Sequence, residues 1–377
     1  MSSYTWIHLI LVFSFVFGSG FMTGEDLGRQ TICTTRLSTA YEVHTPILID
    51  GDYSFERMAN MEGWSGAGTL SNPYLIEGYN ITDSAGDLFA ISFTTVHFII
   101  RNCYFDGLST AWGGIVLHNV INGVLENNTV RNINMLGIGV YISENITITD
   151  NEVKNTNLNG IRIVACPGPL IIANNIISNS IDAGIWVGDS SYRATIENNS
   201  IYENHFGILF EVYSIQYQGV FSSVISHNLI YANSLYGIRL SSSFNNSITD
   251  NVITGSYSFG VILLYPCENN EVKENNFINN NIVGTSQAKD NGGDNIFQFN
   301  FWNDHTVPDS NLDGIVDLPY AINGEADNLD LYPLTRATDT PPVQRQNRHV
   351  PTNMVYGVIF LIFTVGVLVI LLRKNRN

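Results

Sequence analysis

Residues 309–317 read DSNLDGIVD, and their spacing suits a hard cation. Asp309, Asn311, Asp313 and Asp317 offer oxygens around Gly314, the donor chemistry that calcium selects. An EF-hand would also need flanking helices and a glutamate at the twelfth position, where Tyr320 stands. The loop is therefore expected to hold a structural calcium ion in an irregular setting, and no organic cofactor is signalled. A second set of residues lies in the middle of the chain. Arg162, Trp186 and Arg239 each stand two residues after a glycine, with Asp189 and Glu211 close to the same register. The cations and the indole face suit an acidic sugar, the ring stacking on Trp186.

Other chemistries find less support. Cys33, Cys103, Cys166 and Cys267 lie far apart without a CxxC, and read as buried free thiols or disulfide partners. The eight histidines do not recur at one register, whereas copper favours clustered His, Met or Cys. A formal charge of −17 leaves no basic surface for phosphates, so nucleic acid is excluded as a partner.

The elements that must position these residues repeat. Asn128, Asn151, Asn175, Asn199, Asn228, Asn251 and Asn276 recur in motifs such as ENNTV, TDNEV and ENNFI, with Cys103 before them and Asn300 after. The intervals are 25, 23, 24, 24, 29, 23, 25 and 24 residues. The residue two positions on is apolar every time, from Phe105 through Ile278 to Trp302. Three positions before, Lys273 is the one exception to an apolar row. A second strand opens each unit as Gly-Ile/Val-x-apolar, as in GIRI, GIWV and GIRL. These strands alternate with period two and no helical pattern intervenes, so each repeat must form one coil paired with the coils above and below. The fold expected is all-β, a right-handed single-stranded parallel β-helix solenoid of nine or more coils over residues 45–335. Nine coils give a rod of roughly 43 Å. The row Val116, Gly139, Arg162, Trp186, Leu209, Arg239 and Ile262 then faces outward. The 29-residue interval carries a loop with Tyr213, Tyr217 and Phe221, expected as a contact loop because solenoid insertions gather on one face.

Both ends of such a rod need covering. In the opening cap, residues 45–80, a short helix is expected to use Phe55, Met58, Ala59 and Met61, while residues 301–335 with the calcium-like loop close the other end. Residues 1–24 resemble a signal peptide, and 336–353 are a Pro-rich flexible stalk. Residues 354–372 are uncharged and long enough to span a bilayer as a helix, with a cationic tail, 373–377, on the cytoplasmic side.

The Asn-x-Ile coils, the segment GWSGAGTLSNPYLIEGYNI and the closing FWNDHTVPDSNLDGIVDLPYAI resemble the NosD-type right-handed parallel β-helix proteins, in particular archaeal surface versions with a C-terminal membrane anchor. The closing segment keeps Trp302, Asp304, Asp313, Gly314, Asp317, Pro319 and Tyr320, but has His305 where an aromatic is common. The resemblance implies a cell-membrane, single-pass protein whose solenoid is extracellular. It also raises the family's role in maturing a copper centre, which the scattered histidines do not support. The wider fold class includes pectate lyases, polygalacturonases and uronan epimerases. The NTD, DD, GHG and RIK elements of polygalacturonases and the DPHE motif of epimerases are absent. The reading that results is a membrane-anchored surface protein that binds glycan or another envelope component without catalytic residues. The rivals are a polysaccharide lyase, epimerase or hydrolase acting through Arg162, Trp186 and Glu211, and a NosD-like copper accessory protein.

Overall fold

Short strands separated by Asn and Gly have one way to satisfy their backbone groups, which is to pair with the equivalent strand of the next coil. The computed structural model, which describes residues 41–212 and 219–338, is built on that rule. One coil runs through Thr129–Ile133 on a first face, Leu136–Tyr141 on a second and Glu144–Thr149 on a third. The next repeats the path as Glu152–Thr156, Asn159–Val164 and Leu170–Ala173. All these pairings are parallel and in register: Val130 with Val153, Val153 with Ile177, Ile138 with Ile161, Ile148 with Ile172. Among the described residues the first face stacks eleven strands, from Glu42–His44 to Phe301–Trp302.

Period two sends alternate side chains inward, and the inward rows are nearly pure. Ile115, Ile138, Ile161, Ile185, Ile208 and Ile238 form one fully buried column. Burying each such side chain contributes about 2 kcal/mol before entropy is charged against it. The repeated glycines are required by space at the corner into the second face. A Cβ on Gly160 would sit 2.5 Å from Ile177 and 2.7 Å from the Gly184 carbonyl.

The bends carry the polar part of the core. Each repeated Asn accepts from the backbone and side chain of the Asn before it and donates to the one after. The chain of bonds runs Asn128, Asn151, Asn175, Asn199, Asn228, Asn251, Asn275 and Asn300, at 3.0–3.1 Å between side chains. The register at 274–278 therefore differs by one from the sequence expectation. Asn275, not Asn276, joins the ladder, and Phe277, not Ile278, points inward opposite Ile253. Three positions before Asn275 stands the buried Val272, so the exception at Lys273 disappears. The ENN triplet offers two asparagines, and only the packing of Phe277 chooses between them.

The other two corners hold ladders that the sequence reading did not anticipate. Asn246 donates to Asn270 and Asn270 to Asn295 where the second face meets the third. Asn204 donates to Asn233, and Asn280 to Gln287, where the first meets the second. All three ladders finish on a carboxylate: Asn300 on Asp330, Asn295 on Asp290, Gln287 on Asp304.

The caps follow from what each end must cover. The helix Asp52–Glu62 lays Phe55 and Ala59 over the first coil and ends at Gly63 in the left-handed region. Phe55 meets Phe98, Tyr74 and Trp64 with ring centroids 5.4–5.9 Å apart. Met58 is partly buried against this cluster, but Met61 faces solvent, a correction to the expected cap set. At the other end Phe277, Trp302 and Tyr320 stack at 4.1 Å, carrying the core beyond the last coil. Cys103, Cys166 and Cys267 are free and buried, and burial pushes each thiol up to about 11. Cys33, the segments 1–24, 354–372 and 373–377, and residues 339–353 of the stalk lie outside the described residues. No helix among the described residues is long and apolar enough to cross a membrane.

Candidate functional site

The outward row of the second face is present as expected. Arg162 pairs with Gly139 and Trp186, and Arg239 with Leu209 and Ile262. What lies on that row differs from the expectation. Trp186 is 0% exposed and packs with Ala183, Phe206 and Leu209 in a small apolar cluster outside the solenoid core. Gly188 leaves room for the indole, because a Cβ there would stand 2.3 Å from the ring. The Arg162 guanidinium lies 4.4 Å above the same ring, and its Nη1 donates to Asn159 Oδ1 at 3.3 Å. Trp186 is thus a support for Arg162 and not a stacking surface for a sugar.

Two coil steps along the row from Trp186, Arg239 Nη2 meets Glu211 Oε1 at 3.1 Å, and its guanidinium lies 5.6 Å from the Phe206 ring. Both charges are about a quarter exposed, so the pair contributes roughly 0–1 kcal/mol and mainly fixes geometry. Asp189 is buried in the bend after this face, with φ of +51°. The structure therefore brings Arg162 to Trp186 and Arg239 to Glu211, and leaves Asp189 in a turn. On the same face Asp87 holds its proton more tightly than an ordinary carboxyl, through burial, while accepting from the Gly113 backbone. It lies three coils from Arg162, roughly 14 Å along the axis.

In the closing loop, Asp309 accepts from the backbone of Leu312, Asp313 and Gly314. Asn311 bonds to Asp313, Asp313 accepts from Ile315, and Asp317 accepts from Ser310. The Ser310 contacts hold the Asp317 carboxyl below the ordinary carboxylate value. These bonds account for the turn, while a carboxylate's remaining lone pairs leave oxygen chemistry suited to calcium. Among the described residues no three His, Cys, Asp or Glu side chains converge as a metal-holding group. Of the expected contact loop, Tyr213 and Tyr217 lie outside the described residues. Phe221 stacks flat on Tyr192 at 4.8 Å, packing down on the neighbouring coil.

The sequence reading passed over the corner between the first and second faces. There Trp112 is 63% exposed, Ile181 68% and Tyr257 73%. A concavity of about 290 Å³ lies on the same corner, lined by Asn179, Ile181, Glu203, His205 and Ser234 among others. The signal was available, because Trp112, Met135, Leu158 and Leu235 all stand two residues before the repeated glycine.

The model of the right-handed β-helix region matches residues 64–201 and 171–301. No curated protein sequence matches the chain. Among solved structures, the chain is similar to ORF18 of Geobacillus virus E2 at 11% identity and a TM-score of 0.51, covering 72% of this chain and 61% of that one. It is similar to the A-module of the Azotobacter vinelandii mannuronan C-5 epimerase AlgE6 at 15% identity and 0.45, covering 69% and 82%. Pectate lyase Pel9A aligns at 12% identity and 0.44, covering 80% and 92%. At these identities the likeness is one of fold.

Proposed function

The chain belongs to the right-handed β-helix family, and from that premise we propose that it is a membrane-anchored surface protein of NosD type that binds glycan without chemistry of its own. The supporting observation is that Glu211 is already engaged by Arg239 at 3.1 Å. A hydrolase needs two carboxylates set across a scissile bond, one of them ready to give a proton. Here the acid nearest the expected site is already paired with a cation of its own face. What the row offers a ligand is the Arg162 guanidinium held over the buried Trp186, with Arg239 beside it shared with Glu211. That arrangement suits recognition of an acidic stretch of glycan.

A glycan array probed with the folded chain, with and without calcium, tests this, each hit being checked for product by mass spectrometry. Binding without turnover is expected, weakened about tenfold when Arg162 and Arg239 are both changed to Ala. Release of shortened, unsaturated or epimerised sugar from any hit would overturn the non-catalytic reading.

A further inference from the structure

We infer that the corner between the first and second faces is a docking track for an uncharged polysaccharide strand, laid along the solenoid axis. This rests on the glycan-binding reading and adds a site and a ligand class distinct from the Arg162–Arg239 row.

The track occupies two adjacent rows of the corner. Trp112, Met135, Leu158, His205 and Leu235 share one register, whose members on the remaining coils are Asp182 and Ser258. The exposed Ile181 and Tyr257 stand one residue before it, and Ile282 follows on the next coil, while Leu158, His205 and Leu235 are half-buried. Backbone bonds step along this line, from Leu158 to Met135 at 3.1 Å and from Leu235 to His205 at 2.9 Å, so the spacing is that of the coils. From Trp112 to Ile282 is seven steps, about 34 Å. An exposed apolar stripe of that length is of the size at which the largest patch of a monomer is often functional.

The chemistry around the line selects the occupant. The turns at 107–112, 132–135, 155–158, 179–182, 203–205, 232–235, 255–258 and 279–283 contain no Lys or Arg. Their charges are Asp182 and Glu203, and the neighbouring cations Arg131 and Lys154 are held by Asp106 and Glu152 at 3.3 and 2.7 Å, so an acidic polymer would meet like charge. Planar amides stand beside the apolar side chains: Asn157 donates to Asn134 at 3.2 Å, and Asn155 to Asn132 at 3.0 Å. His205 and Ser234 are paired at 3.0 Å on the wall of the concavity. A pyranose presents one face of C–H groups and a rim of hydroxyls, which matches apolar side chains spaced between amide, imidazole and hydroxyl groups. A chain of linked pyranoses also advances per residue by about the coil spacing, so one ring meets one coil. A second copy of this chain fits less well. A stripe about 34 Å long and roughly 10 Å wide buries about 340 Å² per partner, against the roughly 800 Å² that a stable interface needs.

The test is affinity electrophoresis of the folded chain in gels containing a neutral β-glucan or mannan, or acidic alginate or pectate, alongside sedimentation without sugar. Trp112 and Tyr257 are exposed, so their variants should melt with the wild type. Retardation by a neutral polysaccharide is expected. Trp112→Ala and Tyr257→Ala should each weaken it about fivefold, while Arg101→Ala, on the third face, leaves it unchanged. Retardation by acidic polymers alone, sensitive to Arg162→Ala and blind to Trp112→Ala, would sink the track while sparing the proposed function. No retardation by any polysaccharide would sink both. Self-association abolished by Trp112→Ala would reassign the corner to a contact between copies.

Discussion

Asp330 is the sharpest place to test how the solenoid is closed. The carboxylate is fully buried. One oxygen accepts from the Asn300 backbone, the Asn300 side chain and Trp302 Nε1, each at 3.0 Å, and the other accepts from Tyr332 N at 3.1 Å. Every partner is a donor, so only a group with acceptors on both sides fits. In Asp330→Asn the amide NH₂ must face either Tyr332 N or the three donors around Asn300. The first choice leaves the part-buried Tyr332 N–H without its partner, at about 1 kcal/mol, and strips the charge from three further bonds. The sum is about 3 kcal/mol, placed on the last coil. Solenoids gain stability coil by coil, so the loss should appear locally before it appears globally. Hydrogen exchange across residues 296–334 is expected to speed up by about two orders of magnitude, while exchange across 146–177 stays unchanged. The reverse change is the control. Asn175 donates to Asn199 Oδ1 and to the carbonyls of Ile148 and Ala173, so Asn175→Asp would point an oxygen at three acceptors. It should cost at least as much, in mid-solenoid. If Asp330→Asn shifts exchange by less than about twofold, the account of the ladder's end is wrong.

Further outcomes can be stated briefly. The thiols of Cys103, Cys166 and Cys267 should resist alkylation at pH 8 in the folded chain and react once it is unfolded. Their folded values are raised from the ordinary 9.0 to about 11, so the stability they contribute is full below pH 9 and lost as pH rises towards 11. Rapid labelling of the native chain would refute their burial. Asp52 has the opposite sign. The Thr94 hydroxyl, 2.6 Å away, leads in lowering its value, so its contribution is present above about pH 4 and fades as pH falls through the depressed value. Asp52→Asn should remove that acid dependence from the melting of the opening cap, and an unchanged acid profile would count against the bond. We also propose that Asp309, Asn311, Asp313 and Asp317 bind calcium. Calcium should then raise the melting temperature of the closing cap and chelator lower it, and superimposable melts would dismiss the ion. Gly188→Ala should dislodge Trp186 and quench-shift its fluorescence, because no space exists for the added methyl. An unaltered spectrum would contradict the packing.

The sequence revealed most where one residue repeats one job. Period two and the recurring Asn fixed the coils, the inward rows and the Arg162–Trp186–Arg239 register, because a one-residue slip exposes every Ile of a strand. Where two adjacent residues suited the job, as in Asn275-Asn276, the choice fell to Phe277 and to contacts far away in sequence. Burial of outward residues was not legible. Trp186 looked like a platform because its register faces solvent, yet Gly188 on its own strand and Phe206 and Leu209 on the next coil combine to sink it. Trp112 was overlooked for the opposite reason, since it stands in a turn that carries no strand pattern. The corner ladders ending on Asp290 and Asp304 were hidden because Ser, Cys, Asn and Gln share those positions.

The 29-residue coil has a consequence for how such a molecule changes over generations. Between Asn199 and Asn228 the chain detours through five extra residues or so, yet the two side chains still bond at 3.0 Å, the same as across the 24-residue coil before them. Each coil answers only to its two neighbours and is indifferent to what its bends carry outside. Corners are therefore interchangeable parts. Loops can be lengthened, replaced or grafted at one bend with the cost confined to that coil, and whole coils can be added between fixed caps. A lineage can remodel the outside of this rod for new ligands without ever having to invent its inside again.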